Sequence, residues 1–134
     1  MSAEADIYPR YTPALADKIE GALGEGSDFH CMYGFYAQGV GPETAILPRG
    51  WKERLWKVQN GNTNSFIGWC LDVDDLFMSK AAAARPKDQA FCVGLLRRGH
   101  VKLEAMLALA TTMPLGPSEI KRLVARKKRW AKSI

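Results

Sequence analysis

Carboxylates one residue apart can share a divalent cation when they sit on a strand, and Asp72-Val73-Asp74 has that spacing. Its surroundings assign it differently. Asp72 is placed to cap a helix, and Asp74 and Asp75 then meet the positive end of that helix dipole. Trp51, Lys52, Arg54, Trp56 and Lys57 interleave aromatic and cationic side chains, a pattern that stacks on bases and neutralises phosphates in single-stranded nucleic acid. The same string also arises from a half-buried strand with one solvated face. His30 and His100 are far apart, and Cys31, Cys70 and Cys92 lack Cys-x-x-Cys pairing, so neither a zinc centre nor a histidine-based triad is expected. The thiols read as reduced and buried.

Two helices must position the charged residues from Asp72 to Arg98. Asp72 starts the first, with Leu76, Phe77, Ala81 and Ala84 as its apolar face and Lys80 near its middle. Pro86 suits the first turn of the second, Phe91, Val93, Leu95 and Leu96 face inward, and Gly99 supplies the stop. Arg85, Lys87 and Asp88 therefore crowd one helix junction. Upstream, Thr12-Pro13 starts a helix carrying Leu15, Ile19, Ala22 and Leu23, which Gly24 or Gly26 can end. From Phe29 to Leu71 the residues read as a β region, with Asn60-Gly61-Asn62 as a hairpin turn between strands near 54 to 58 and 65 to 71.

The order Leu71-Asp72-x-x-Asp75-Leu76-x-x-Ser79-Lys80, followed by Arg85-x-Lys87-Asp88 and Leu95-Leu96-Arg97-x-Gly99, resembles the uncharacterised nucleotidyltransferase-like domains related to abortive-infection toxins. The segment from Gly39 to Leu55 adds to the likeness. The resemblance implies an α+β fold: a partial polymerase-beta-like core with a small mixed sheet and a C-terminal helical segment. It also implies that Glu4 and Asp6, just before Tyr8-Pro9, match the family's metal-binding carboxylate pair. Alternation on a strand would put both on one face, and magnesium accepts such hard oxygens.

By the same likeness, Lys80 and Asp88 are candidate catalytic residues facing a nucleotide cleft, with Arg85 and Lys87 beside the cofactor. The implied chemistry is magnesium-dependent transfer of a nucleoside monophosphate from a triphosphate to a hydroxyl on RNA or protein, in a toxin–antitoxin or defence setting. The family's Gly-rich phosphate-binding turn is not in the sequence. A fragment, a degenerate copy kept as a binding protein, and a half-site completed by another chain each account for that. A homodimer or a partner chain completing the sheet is accordingly expected.

The charge is concentrated at one end. Residues 117 to 134 hold seven cations against Glu119 alone, a local charge of +6 within a chain total of +5. A helix beginning near Pro117-Ser118, with Ile120, Leu123, Val124 and Trp130 as apolar contacts, would present Arg122, Arg126, Lys127, Lys128 and Arg129 to RNA or another polyanion. This supplies the alternative function, a non-catalytic nucleic-acid or protein binding module. Residues 1 to 113 are expected to form the core and 114 to 134 the basic helix, joined through the turn-forming Met113 to Pro117 stretch.

At 134 residues with 47% hydrophobic content, the chain can bury one compact core. No apolar run reaches the length of about twenty residues needed to span a bilayer. The acidic, polar N-terminus is unlike a signal peptide, so a cytoplasmic location is expected.

Overall fold

The computed structural model describes residues 2 to 134. Its α-helices and short strands group into two compact units, one running up to Ala45 and the other spanning Ile46–Ile134.

The first unit contains strand β1 (Glu4–Ile7), helices α1 (Leu15–Leu23) and α2 (Asp28–Tyr33), and strand β2 (Tyr36–Gly39). β1 and β2 pair in parallel, with Glu4 opposite Tyr36 and Asp6 opposite Gln38. Parallel neighbours need a crossover, which the two helices provide. α1 approaches β2 so closely that a Cβ at Gly39 would lie 1.9 Å from the Ala16 carbonyl oxygen, which excludes any side chain there. α1 begins later than the Thr12-Pro13 signal suggests, because Thr12 to Ala14 form a preceding turn in which the Leu15 amide donates to the Thr12 carbonyl.

Residues 28 to 33 are helical where the aromatic-rich sequence suggested β structure. The ends decide it. Ser27 accepts a hydrogen bond from the His30 amide, and Gly34 takes the left-handed conformation that stops the helix.

The second unit opens with a 3-10 turn (Trp51–Arg54) and a hairpin of strands β3 (Trp56–Val58) and β4 (Gly68–Cys70). Trp56 pairs with Cys70, Lys57 with Trp69 and Val58 with Gly68. Asn60 does not make a two-residue hairpin turn. Its side chain accepts from the amides of Asn62 and Thr63, capping a short 3-10 segment within a longer loop. The strands form two separate two-stranded sheets, one in each unit, where a single small mixed sheet was expected.

Helices α3 (Val73–Ala83), α4 (Pro86–Arg97), α5 (Leu103–Ala110) and α6 (Pro117–Lys132) complete this unit. Asp72 caps α3 by accepting from the Asp74 amide, Pro86 occupies the first turn of α4, and Gly99 follows α4 with a positive φ. The four helices enclose Phe77, Met78, Ala81, Cys92, Met106, Ala110, Leu123 and Trp130. Cys92 is buried as expected, whereas Cys31 and Cys70 are exposed. The Met113 to Gly116 stretch is a turn within this one core, since α6 buries Leu123 and Trp130 in it. No described helix is long and apolar enough to cross a membrane.

Candidate functional site

Glu4 and Asp6 share one face of β1, because side chains two residues apart on a strand point the same way. Register puts Tyr36 and Gln38 beside them on β2, and the Tyr36 hydroxyl donates to Glu4 Oε2 at 3.3 Å. Partial desolvation raises the Tyr36 pKa, and the negative charges of Glu4, Glu25 and Asp6 raise it further, so the phenol stays protonated and available as a donor. Glu4 is half-buried and Asp6 exposed.

Residues 1 to 45 carry seven acids against Arg10 and Lys18, an acidic field suited to a cation. Among the described residues no cluster of three or more histidines, cysteines or acids could enclose a metal by itself. Magnesium commonly takes only one or two protein carboxylates and completes its shell with water and substrate phosphates. The Glu4–Asp6 pair fits that mode.

The second expected group does come together, at the junction of α3 and α4, but its members satisfy one another. Asp88 is buried. Its Oδ2 accepts from the Arg85 amide at 3.2 Å and from Arg85 Nε at 2.7 Å, and Oδ1 accepts from Arg85 Nη2 at 3.2 Å. Lys80 Nζ lies 3.9 Å from Oδ1. Burial pushes the Asp88 pKa up, but the Arg85 hydrogen bonds and the Arg85 and Lys80 charges outweigh it and hold the carboxyl below its usual range. Asp88 thus works as the carboxylate of a capping box at the start of α4. Lys87 is exposed on the same first turn. These residues lie in the second unit and the carboxylate pair in the first.

Asp88→Ala should lower stability by about 2 kcal/mol at neutral pH, because it strips the first turn of α4 of its cap and charge partner. A lowered folded pKa means that the stabilisation is present above the unfolded value of 3.8 and is lost as pH falls through the folded value. Urea midpoints at pH 7 and pH 3 check this. The variant's midpoint should fall less on acidification than that of the intact chain.

α6 divides its cations between two environments. Lys121, Arg122, Lys128 and Arg129 are exposed. Arg126 is half-buried, and its Nη1 donates to the Ala81 carbonyl at 2.6 Å. With Arg122 and Glu119 it borders a shallow recess of about 230 Å3 whose apolar wall includes Ala82, Leu115 and Leu123.

Lys127 corrects the sequence expectation. It is completely buried, with Nζ donating to the Met106 carbonyl and lying 3.3 Å from Met78 Sδ. It therefore offers nothing to a polyanion. Its position follows from helical spacing, four residues after Leu123 and three before Trp130, both of which are buried.

Sequence reasoning also missed the pairing of Arg54 with Asp75. Arg54 Nε donates to Asp75 Oδ2 at 2.9 Å and Nη2 to Oδ1 at 2.7 Å, while Nη2 also reaches the Arg49 carbonyl at 3.1 Å. Asp75 is fully buried, so Arg54 belongs to a structural ion pair and not to a free cationic face. Asp75 lies three residues before the buried Met78, a spacing that puts it on the buried side of α3 and demands a partner. Trp56 is anchored at one edge, its Nε1 donating to Asp72 Oδ2 at 2.8 Å.

The α+β architecture carries one half-buried and one exposed carboxylate on a parallel strand, and a basic helix. The family described as a nucleotidyltransferase of unknown function (DUF6036) matches residues 12–131, and the chain belongs to that family. Glu4 and Asp6 precede the matched span. No curated protein and no solved structure matches the chain significantly.

Proposed function

We propose that this domain handles nucleoside triphosphates through a magnesium ion held by Glu4 and Asp6. The observation that carries the reading is the sharing of one β1 face by the two carboxylates, with the Tyr36 hydroxyl fixing Glu4. Magnesium bound there would supply charge neutralisation on the phosphates. Asp6, exposed at the same face, supplies the more accessible oxygens, and Tyr36 orients Glu4 by its hydrogen bond. The acceptor we propose is a hydroxyl on RNA or protein.

The test is transfer of label from each of the four ribonucleoside triphosphates to total RNA and protein, with magnesium present or chelated. A Glu4→Ala, Asp6→Ala double variant should lose transfer completely while keeping its fold. Transfer by the double variant at the intact chain's rate would refute the assignment.

A second reading, a non-catalytic polyanion-binding module, is favoured by one observation: Lys121, Arg122, Lys128 and Arg129 stay exposed on α6 while Arg85 is engaged with Asp88. Exchanging Arg122 and Arg129 for alanine should weaken RNA binding and reduce the slope of log affinity against log salt by about two, one for each phosphate contact. The setting proposed for either reading is toxin–antitoxin or defence, in the cytoplasm. Among the described residues each sheet has two strands and therefore open edges, which supports completion by a second copy or a partner chain. Sedimentation of the intact chain, alone and with neighbouring gene products, tests that part.

A further inference from the structure

We infer that the β3–β4 hairpin is a stacking platform for single-stranded nucleic acid, with Trp69 and Lys57 as its centre. The inference is independent of the Glu4–Asp6 site, and it adds a second surface to the cations of α6.

Directly opposed residues in an antiparallel pair project to the same face, so Lys57 and Trp69 stand side by side. Trp56 and Val58 occupy the other face. The hairpin leaves unusual aromatic area in water: Trp56 is 65% exposed, Trp69 53%, and Phe66 in the loop 73%. A two-stranded hairpin has no core of its own, and exposed aromatic rings on it, Trp69 on the Lys57 face and Trp56 on the other, mark an interaction site.

Charge selects the occupant. From Leu55 to Leu71 the only charged residue is Lys57, and residues 46 to 134 together hold seventeen cations against seven acids. Two of those acids, Asp75 and Asp88, are buried in ion pairs and contribute little negative field outside. An apolar protein surface laid over Trp69 would strip water from the Lys57 ammonium without giving it a counter-charge, which is costly. A nucleotide answers both neighbours, its base stacking on the indole and its phosphate meeting the ammonium. The exposed amides of Asn62 and Asn64 in the connecting loop add donors and acceptors for base edges.

Binding of an unstructured oligouridylate of about a dozen nucleotides, a length within the usual single-stranded site range, is compared with binding of inorganic polyphosphate. Both probes offer phosphates to the α6 cations, but only the first carries bases. Trp69→Ala should weaken oligouridylate binding about tenfold and leave polyphosphate binding unchanged, and Trp69→Phe should retain most of the affinity. In the intact chain, oligouridylate should quench tryptophan fluorescence and polyphosphate should not, a readout that needs no variant.

Equal affinity of Trp69→Ala and the intact chain for oligouridylate would overturn the inference, as would parallel losses for both probes. Loss of self-association in Trp69→Ala with RNA binding intact would also overturn it, by making the hairpin a protein contact. Failure of nucleotide transfer leaves these binding measurements unaffected, so the two proposals fail separately.

Discussion

Replacing Arg54 by alanine should destabilise the second unit by about 3 kcal/mol, a large share of the stability of a small domain. The reason lies with the partner left behind. Asp75 has no solvent exposure, and both its carboxylate oxygens accept from the Arg54 guanidinium. The hydrogen bonds Arg54 donates to Asp75 raise the Arg54 pKa, against a smaller opposing effect of desolvation, so the guanidinium stays charged. Truncating Arg54 leaves a buried carboxylate without its cation, which costs more than the pair itself contributes. Arg54 is 36% exposed, and solvent screening keeps the loss at the lower end of the range for fully enclosed pairs. Urea unfolding followed by circular dichroism measures it. Asp75→Leu placed on Arg54→Ala should recover most of the loss, since the double variant has no stranded charge.

Lys127→Met should work in the opposite direction and stabilise the fold by about 2 kcal/mol at pH 7, raising the melting temperature by roughly 10 °C. Burial lowers the Lys127 pKa from 10.5 to about 8, and among the described residues no carboxylate opposes the shift. The groups facing it are the Met106 carbonyl, the Met78 sulfur and the Cys92 thiol. Burial and the Asp88 charge push that thiol up to about 12, so it stays neutral.

With the folded pKa below the unfolded one, the unfolded chain binds more protons between pH 8 and 10.5, and stability rises across that window. Below pH 8 the penalty is complete. The advantage of Lys127→Met should therefore be greatest at and below neutrality and shrink from pH 8 to 10.5. Methionine fits because it is unbranched and apolar and keeps most of the lysine's length. The hydrogen bond lost from the Met106 carbonyl keeps the gain under the roughly 3 kcal/mol that the pKa shift alone represents.

The helical half of the chain was legible because its signals are local. Asp72 caps α3, Pro86 opens α4, Gly99 follows it, and Pro117 opens α6, each by backbone chemistry that needs no distant partner. α2 was misread because Phe29, Cys31 and Tyr33 suit strands by composition. The decisive residues were Ser27 and Gly34 at its ends. The hairpin was placed correctly, but its strands are shorter than expected, because Asn60 spends its side chain on capping a 3-10 segment.

The candidate site was legible to a smaller degree. The family resemblance pointed to Glu4 and Asp6 and strand alternation put them on one face, as β1 does, but Tyr36 as the partner of Glu4 depends on a parallel register that no local pattern encodes. Lys80, Arg85 and Asp88 do meet at one junction. Whether such a group faces a ligand or closes on itself depends on burial, and Asp88 is buried. The basic tail shows the limit of counting charge: seven cations were visible in the sequence, and the turn of α6 hides Lys127 among apolar side chains.

The claim that Glu4 and Asp6 hold a divalent cation is tested most directly by titrating manganese into the isotope-labelled intact chain and following backbone amide resonances. Selective broadening should appear first in Glu4–Ile7 and in Tyr36–Gly39 opposite, be reversed by excess magnesium, and vanish in the Glu4→Ala, Asp6→Ala variant. Broadening centred instead on Asp72 to Asp75, or broadening at β1 that persists in the double variant, would contradict the account.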